Sequence, residues 1–185
     1  MPSADFQSTI TAQYRVARVL LANGNPLVLL LIGADQTGVA IGHGAAPDSL
    51  LALAIGSQIT AREFFKHRPP SPLELENAIV TVEDEVTRAR KLIPPGARLV
   101  TTDSSIREIA HLSGMTPGAV LHLPLDAMER TFERLAQVSL GRPASFDGLP
   151  ADNQVAATLL ILREFMHHLR FDDITVLQAD SSFAP

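Results

Sequence analysis

The 185-residue chain has no cysteine, no tryptophan, one tyrosine and eight phenylalanines. Without cysteine there can be no disulfide framework, thiolate metal site or cysteine nucleophile. With so few flat aromatic side chains, stacking on bases or sugars has few instruments. Positive charge is also scarce. Fifteen basic residues stand against 20 acidic ones, a net charge of −5, which argues against a nucleic-acid or anionic-membrane footprint. The longest apolar run, residues 26–32, falls far short of the ~20 residues of a membrane span. The opening Met1-Pro2-Ser3-Ala4-Asp5 lacks a basic stretch followed by an apolar one. The expectation is a cytoplasmic protein with no nucleic-acid and no membrane partner. What is present is globular: 46% hydrophobic and 19% charged residues. The length suits one domain that buries roughly 70% of its unfolded surface.

Residues 1–10 are polar and expected to be disordered, leaving 11–185 as a single α/β domain. Residues 11–22 stay open between two states: Arg15, Arg18 and Ala22 share a helical face, whereas Val16 and Val19 suit a strand. Asn23-Gly24-Asn25-Pro26 is a turn. Residues 27–32 are apolar on both faces, as in a central buried strand. A turn over 33–38 leads to a second strand at 39–42 and a third at 50–54, then a short helix over 57–65. Ser71-Pro72-Leu73-Glu74 is a capping box with proline at the first helical position. The helix it opens carries Leu75, Ile79, Val82 and Val86 on one face and stops at Pro94-Pro95-Gly96. A strand at 98–101 precedes a second capping box, Ser105 to Glu108, whose helix ends near Gly114. Residues 120–123 are a brief extended piece. Residues 126–140 are helical, with Gly141 as terminator. A longer helix starts at Pro150 and runs to about Leu169, and a strand at 174–177 follows. Strands linked through helices favour parallel pairing and right-handed crossovers. A mixed sheet of about five strands with helices on its faces is expected.

Several segments share the order of a known pattern. In Leu31-Ile32-Gly33-Ala34-Asp35-Gln36-Thr37-Gly38, the residues Ile32, Gly33 and Thr37 match a phosphate turn of the form D-I-G-G-G-S-T-E. Leu51-Ala52-Leu53-Ala54-Ile55-Gly56 fits a following small-residue segment, and Arg68-Pro69-Pro70-Ser71-Pro72 fits a proline-rich link to a long helix. Ile93-Pro94-Pro95-Gly96-Ala97-Arg98-Leu99-Val100 is similar to "iPpGarlv", and continues as Thr101-Thr102-Asp103-Ser104-Ser105. Gly148-Leu149-Pro150-Ala151-Asp152-Asn153 is similar to "GLPpdR". Over about residues 27–176 the chain therefore resembles the second lobe of the exopolyphosphatase / guanosine pentaphosphate phosphohydrolase (Ppx/GppA) family.

The resemblance implies an α/β, ribonuclease-H-like single lobe of the actin-like ATPase superfamily. It also implies an active cleft shared with a first lobe that carries a general-base glutamate. The aspartate that opens the phosphate turn and serves the metal is Leu31 here, which cannot hold a cation or orient a nucleophile. The expectation is a divergent Ppx/GppA-like domain without catalytic residues, acting through binding or self-association. A homodimer or a protein partner would cover the surface left by the first lobe. The alternative is a phosphoanhydride or phosphoester hydrolase for polyphosphate or guanosine polyphosphate-like nucleotides. It would hold Mg or Mn through Asp35 or Asp103.

The candidate ligand-binding residues are Gly33, Asp35, Gln36, Thr37, Thr102, Ser104, Ser105 and Asp152. Amides of the 33–38 turn can face an anion, but Asp35 adds negative charge there and the same residues suit a hairpin. The 101–105 segment joins a strand to a helix N-terminus, the usual ligand crevice of α/β sheets. Asp103, Ser104 and Ser105 are equally suited to capping that helix. Asp152 resembles the family's R-A-D aspartate and also suits a helix N-terminus. His167 and His168, adjacent on a helix, point about 100° apart and do not form one metal well; with Arg170 they suit a helix C-terminus. His43, His67, His111 and His122 show no ligand spacing, so no metal site is expected. Glu83-Asp84-Glu85 reads as a solvated helix face. Ser104 and Ser105 lie outside any G-x-S-x-G elbow, which gives a serine hydrolase no support.

Overall fold

A computed structural model describes residues 4–21, 24–143 and 148–178. The elements, in chain order, are α1 (Ala4–Leu20), β1 (Leu27–Ile32), β2 (Thr37–Gly42), β3 (Ser49–Leu53), α2 (Ser57–Phe64), α3 (Pro72–Thr87), a 3-10 turn (Arg90–Leu92), β4 (Arg98–Thr101), α4 (Ser104–Leu112), β5 (Val120–Pro124), α5 (Leu125–Ser139), α6 (Asn153–Leu169) and β6 (Asp173–Leu177). The strands form one mixed sheet in the order β3-β2-β1-β4-β6-β5. β1 to β3 are an antiparallel meander, β1, β4 and β6 run parallel, and β5 returns antiparallel to β6.

The apolar run of β1 follows from its place between two layers. Val28, Leu30 and Ile32 enter the larger core, under α2 to α6. Leu27 and Leu29 enter a smaller one with Ile10, Tyr14 and Ala17 of α1, and Leu31 packs against it. α6 is buried nearly all round, as a helix at the centre of a layer must be. It touches α2, α3, α4 and α5.

The N-terminal expectation is corrected. From Ala4 the chain is helical, and Ile10, Tyr14 and Ala17, spaced as one helical stripe, are buried against the sheet. This also settles residues 11–20 as helix; residues 1–3 and Ala22 lie outside the described residues. The capping box at Ser71 and Glu74 is present as expected, with both of its hydrogen bonds made. The second box is not. Asp103 is the N-cap of α4: its carboxylate accepts the Ser105 amide, which leaves Ser105 inside the helix. The last helix begins at Asn153 rather than Pro150, since Asp152 caps it. The sheet has six strands rather than about five, because the brief piece at 120–123 pairs fully with β6. Among the described residues no helix is long and apolar enough to cross a membrane.

Candidate functional site

In an open α/β sheet, ligands bind outside the carboxyl ends of the parallel strands. Here that end gathers the β1–β2 turn, the start of α2 and the β4–α4 junction. The turn spans 33–36, closed by the Gly33 N–H donating to the Gln36 carbonyl at 3.0 Å. The carbonyl of Gly33 accepts from the Ser57 amide at 2.9 Å, and that of Ala34 from the amides of Gln58 and Ile59 at 2.9 and 3.0 Å. These are the first-turn donors of α2, the groups that would otherwise face an anion. The approach is close enough to require glycine at residue 56, where a Cβ would stand 2.5 Å from the Ala34 oxygen.

The β4–α4 junction is closed in a related way. Buried Thr101 donates its hydroxyl to the Leu30 carbonyl at 2.7 Å and accepts the Asp103 amide at 3.0 Å, tying the ends of β1 and β4 together. One oxygen of Asp103 accepts the Ser105 amide at 2.8 Å and the Ser105 hydroxyl at 2.7 Å; the other accepts the Ile32 amide at 2.9 Å. A carboxylate of the chain itself thus lies where two strand ends and a helix N-terminus converge.

The structure brings Gly33, Ser105 and Asp103 into this crevice. Thr102 lies in the same junction, and its hydroxyl oxygen is buried without a hydrogen-bond partner among the described residues. Asp35 is exposed at the tip of the turn, and Ser104 is exposed in the first turn of α4. Thr37 is corrected. It belongs to β2, is fully buried, and donates to the Ile55 carbonyl at 2.8 Å, so its hydroxyl is turned into the fold. Gln36 contributes its carbonyl to the turn.

Asp152 sits apart. It accepts the Gln154 amide at 2.8 Å and lines a recess of about 310 Å3 with Gln58, Arg62, Arg68 and Asn153. Asn153 holds the recess together by donating to the His67 carbonyl at 2.9 Å. Sequence reasoning missed Arg62 and Arg68. The 67–70 segment reads only as a breaker, and nothing in its pattern places it against the start of a helix some eighty residues later.

His167 faces Glu129 at 3.2 Å, whereas His168 lies 2.9 Å from Glu164 and 3.6 Å from Glu83; the two rings meet edge to face, with centroids 5.2 Å apart, but turn to different carboxylates. The reading of 83–85 as a solvated face is corrected for Glu85. Its carboxylate accepts the Ala54 amide at 2.7 Å, a backbone donor just past β3. Burial would raise the pKa of Glu74, but hydrogen bonds from the Ser71 amide, the His67 ring, the Lys66 amide and the Ser71 hydroxyl bring it down to about 2. Among the described residues no group of three His, Asp or Glu side chains is placed to hold a metal ion. Of the two residues expected to hold Mg or Mn, Asp103 is already bonded at both oxygens and Asp35 is exposed at the tip of the turn.

No protein-family model matches the chain, and no curated protein matches it by sequence. Solved structures do match. The Ppx/GppA phosphatase of Aquifex aeolicus, in its type II variant, superposes with a TM-score of 0.76 at 18% identity, over 90% of this chain and 57% of that one. Another crystal structure of the Aquifex aeolicus family member gives a TM-score of 0.75 at 19% identity, over 90% and 56%. An exopolyphosphatase from Cytophaga hutchinsonii gives 0.69 at 14% identity, over 90% and 57%. The chain therefore has the fold of one lobe of the Ppx/GppA structures, an actin-like ATPase fold, and spans a little over half of their length.

Proposed function

We propose that this chain is a Ppx/GppA-like lobe that acts by binding and does not carry out phosphoryl transfer. The observation that carries the reading is the Asp103 carboxylate. It accepts the Ile32 and Ser105 amides at the convergence of β1, β4 and α4, where an incoming phosphate would need those donors. Phosphoryl transfer depends on positioning and on stabilising negative charge. A fixed carboxylate opposes both, and Leu31 offers no metal ligand. The carbonyls of Gly33 and Ala34 cap α2 in the same sense.

Its activity then lies in association, with a second copy of the chain or a protein partner covering the crevice end. This reading is supported by the resemblance to lobes that work in pairs and by the low share of charged residues, 19%. The test is a panel of polyphosphate, guanosine pentaphosphate and nucleotides, each with magnesium or manganese, alongside light scattering after size-exclusion chromatography. The expected result is no phosphate release above buffer and a mass above one chain. Steady release that vanishes in Asp103→Ala or Asp35→Ala points instead to a phosphohydrolase. A clean monomer across a wide concentration range removes self-association.

A further inference from the structure

At the opposite end of the sheet, where β4 begins, lies a cleft of about 550 Å3 between the 3-10 turn after α3, the loop into β4 and the end of α6. This volume is in the range of small-molecule sites. The lining combines apolar groups, Ile93, Pro94 and Phe171 among them, with the guanidinium residues Arg90 and Arg170 and with His168. Among the described residues no carboxylate lines the cleft, although acidic residues outnumber basic ones in the chain. The His168 ring faces Glu164 and Glu83, which leaves the two guanidinium groups for the cleft. Arg90 is held at the rim by donating to the His168 carbonyl at 3.2 Å. Arg170 makes no side-chain hydrogen bond or ion pair among the described residues.

The backbone at Arg170 adds an independent observation. It is the C-cap of α6, with φ 60 and ψ 47, the left-handed conformation that glycine ordinarily supplies at helix ends. Five other described positions with positive φ are glycines, at 24, 96, 114, 141 and 148; Arg170 is the one non-glycine. A long side chain is thus kept at a backbone cost that glycine would remove, at a residue that lines the cleft.

We propose that this cleft binds a small organic anion: an oxyanion, phosphate or carboxylate, carried on an apolar body. Arg90 and Arg170 hold the oxyanion, since the planar guanidinium presents paired donors to two oxygens of a carboxylate or phosphate. The body lies against Pro94 and Phe171. The site is at the far end of the strands from Asp103 and does not depend on the reading of the crevice.

The test is a titration of the 15N-labelled full chain with phenyl phosphate, benzoate, inorganic phosphate and benzylamine, following the amides of Gly96, Ala97, Leu169 and Phe171. Saturable shifts are expected with phenyl phosphate or benzoate, about tenfold tighter than with inorganic phosphate, and none with benzylamine. Which of the first two binds more tightly assigns phosphate or carboxylate. Arg170→Gly is expected to keep or raise the Tm, because it relieves the left-handed strain, and to weaken binding by about tenfold or more. Arg90→Gln is expected to weaken binding likewise, should Arg170→Gly not fold. The proposal is overturned by unchanged binding in these variants, by benzylamine binding equally well, by phenyl phosphate and benzoate binding no tighter than inorganic phosphate, or by no saturable shift at these amides.

Discussion

Replacing Asp103 by alanine tests how the crevice is closed. The carboxylate accepts three hydrogen bonds, from the Ile32 amide and from the Ser105 amide and hydroxyl. Loss of an N-cap costs about 1 kcal/mol. Ile32 is a buried strand residue, and leaving its amide without a partner costs about 1–3 kcal/mol. Water entering from the crevice offsets part of this, so the expected loss is about 2–3 kcal/mol. For a domain of this size each kcal/mol lowers the Tm by roughly 2–4 °C, which puts the fall at about 4–12 °C. Asp103→Asn keeps one acceptor oxygen and should lose about half as much. The assay is urea and thermal unfolding with and without millimolar inorganic phosphate. The alanine variant exposes the freed amides, so phosphate should restore part of its Tm by mass action while moving the unaltered protein less. A loss below about 0.5 kcal/mol, or an equal response to phosphate in both proteins, would refute the reasoning.

Three further outcomes follow from particular contacts. Glu74, with a folded pKa of about 2 against an ordinary 4.5, stabilises the fold fully above the ordinary value and loses that contribution as pH falls from 4.5 toward 2. Its side chain is 12% exposed, so after screening Glu74→Gln should remove about 1–2 kcal/mol at neutral pH and flatten stability against pH across that window, read by acid titration of urea midpoints. Gly56→Ala sets a Cβ 2.5 to 2.7 Å from the backbone of Gly33 and Ala34. Neither carbonyl can yield easily, and a loss of about 1–3 kcal/mol is expected in equilibrium unfolding, with wild-type stability counting against the close approach. Ile10→Ala empties the contact of α1 with the sheet and should cost about 2–4 kcal/mol; a negligible change would mean that α1 is not docked there.

The fold was largely legible in the sequence where one signal dominated. The run of β1, the Ser71 box and the glycine after α5 each specify a local conformation by themselves. The errors have physical causes. Residues 4–10 look polar because only one stripe of α1 is buried, and that stripe reaches the sheet through Ile10 and Tyr14. β5 looks incidental because it is an edge strand, with Val120, His122 and Pro124 exposed on one face. The crevice was half legible. The strand-to-helix junction at 101–105 marked the place, and capping by Asp103 was among its readings. That the second oxygen of Asp103 reaches Ile32, 71 residues away, is a property of the β1–β4 pairing and no local pattern carries it. Arg62 and Arg68, and likewise Arg90 and Arg170, converge only through tertiary packing. Arg170 carried a faint signal, as a residue at a helix end where glycine is usual.

The central claim, that the chain's own carboxylate occupies the place of a phosphate, is tested most directly by site-resolved NMR of the unaltered protein with pyrophosphate and magnesium. The account predicts no saturable change at the amides of Ile32, Gly33 and Ser105, because those of Ile32 and Ser105 already donate to Asp103 and that of Gly33 to Gln36. Saturable shifts at these three amides, at concentrations where Asp103→Ala responds no better, would contradict it.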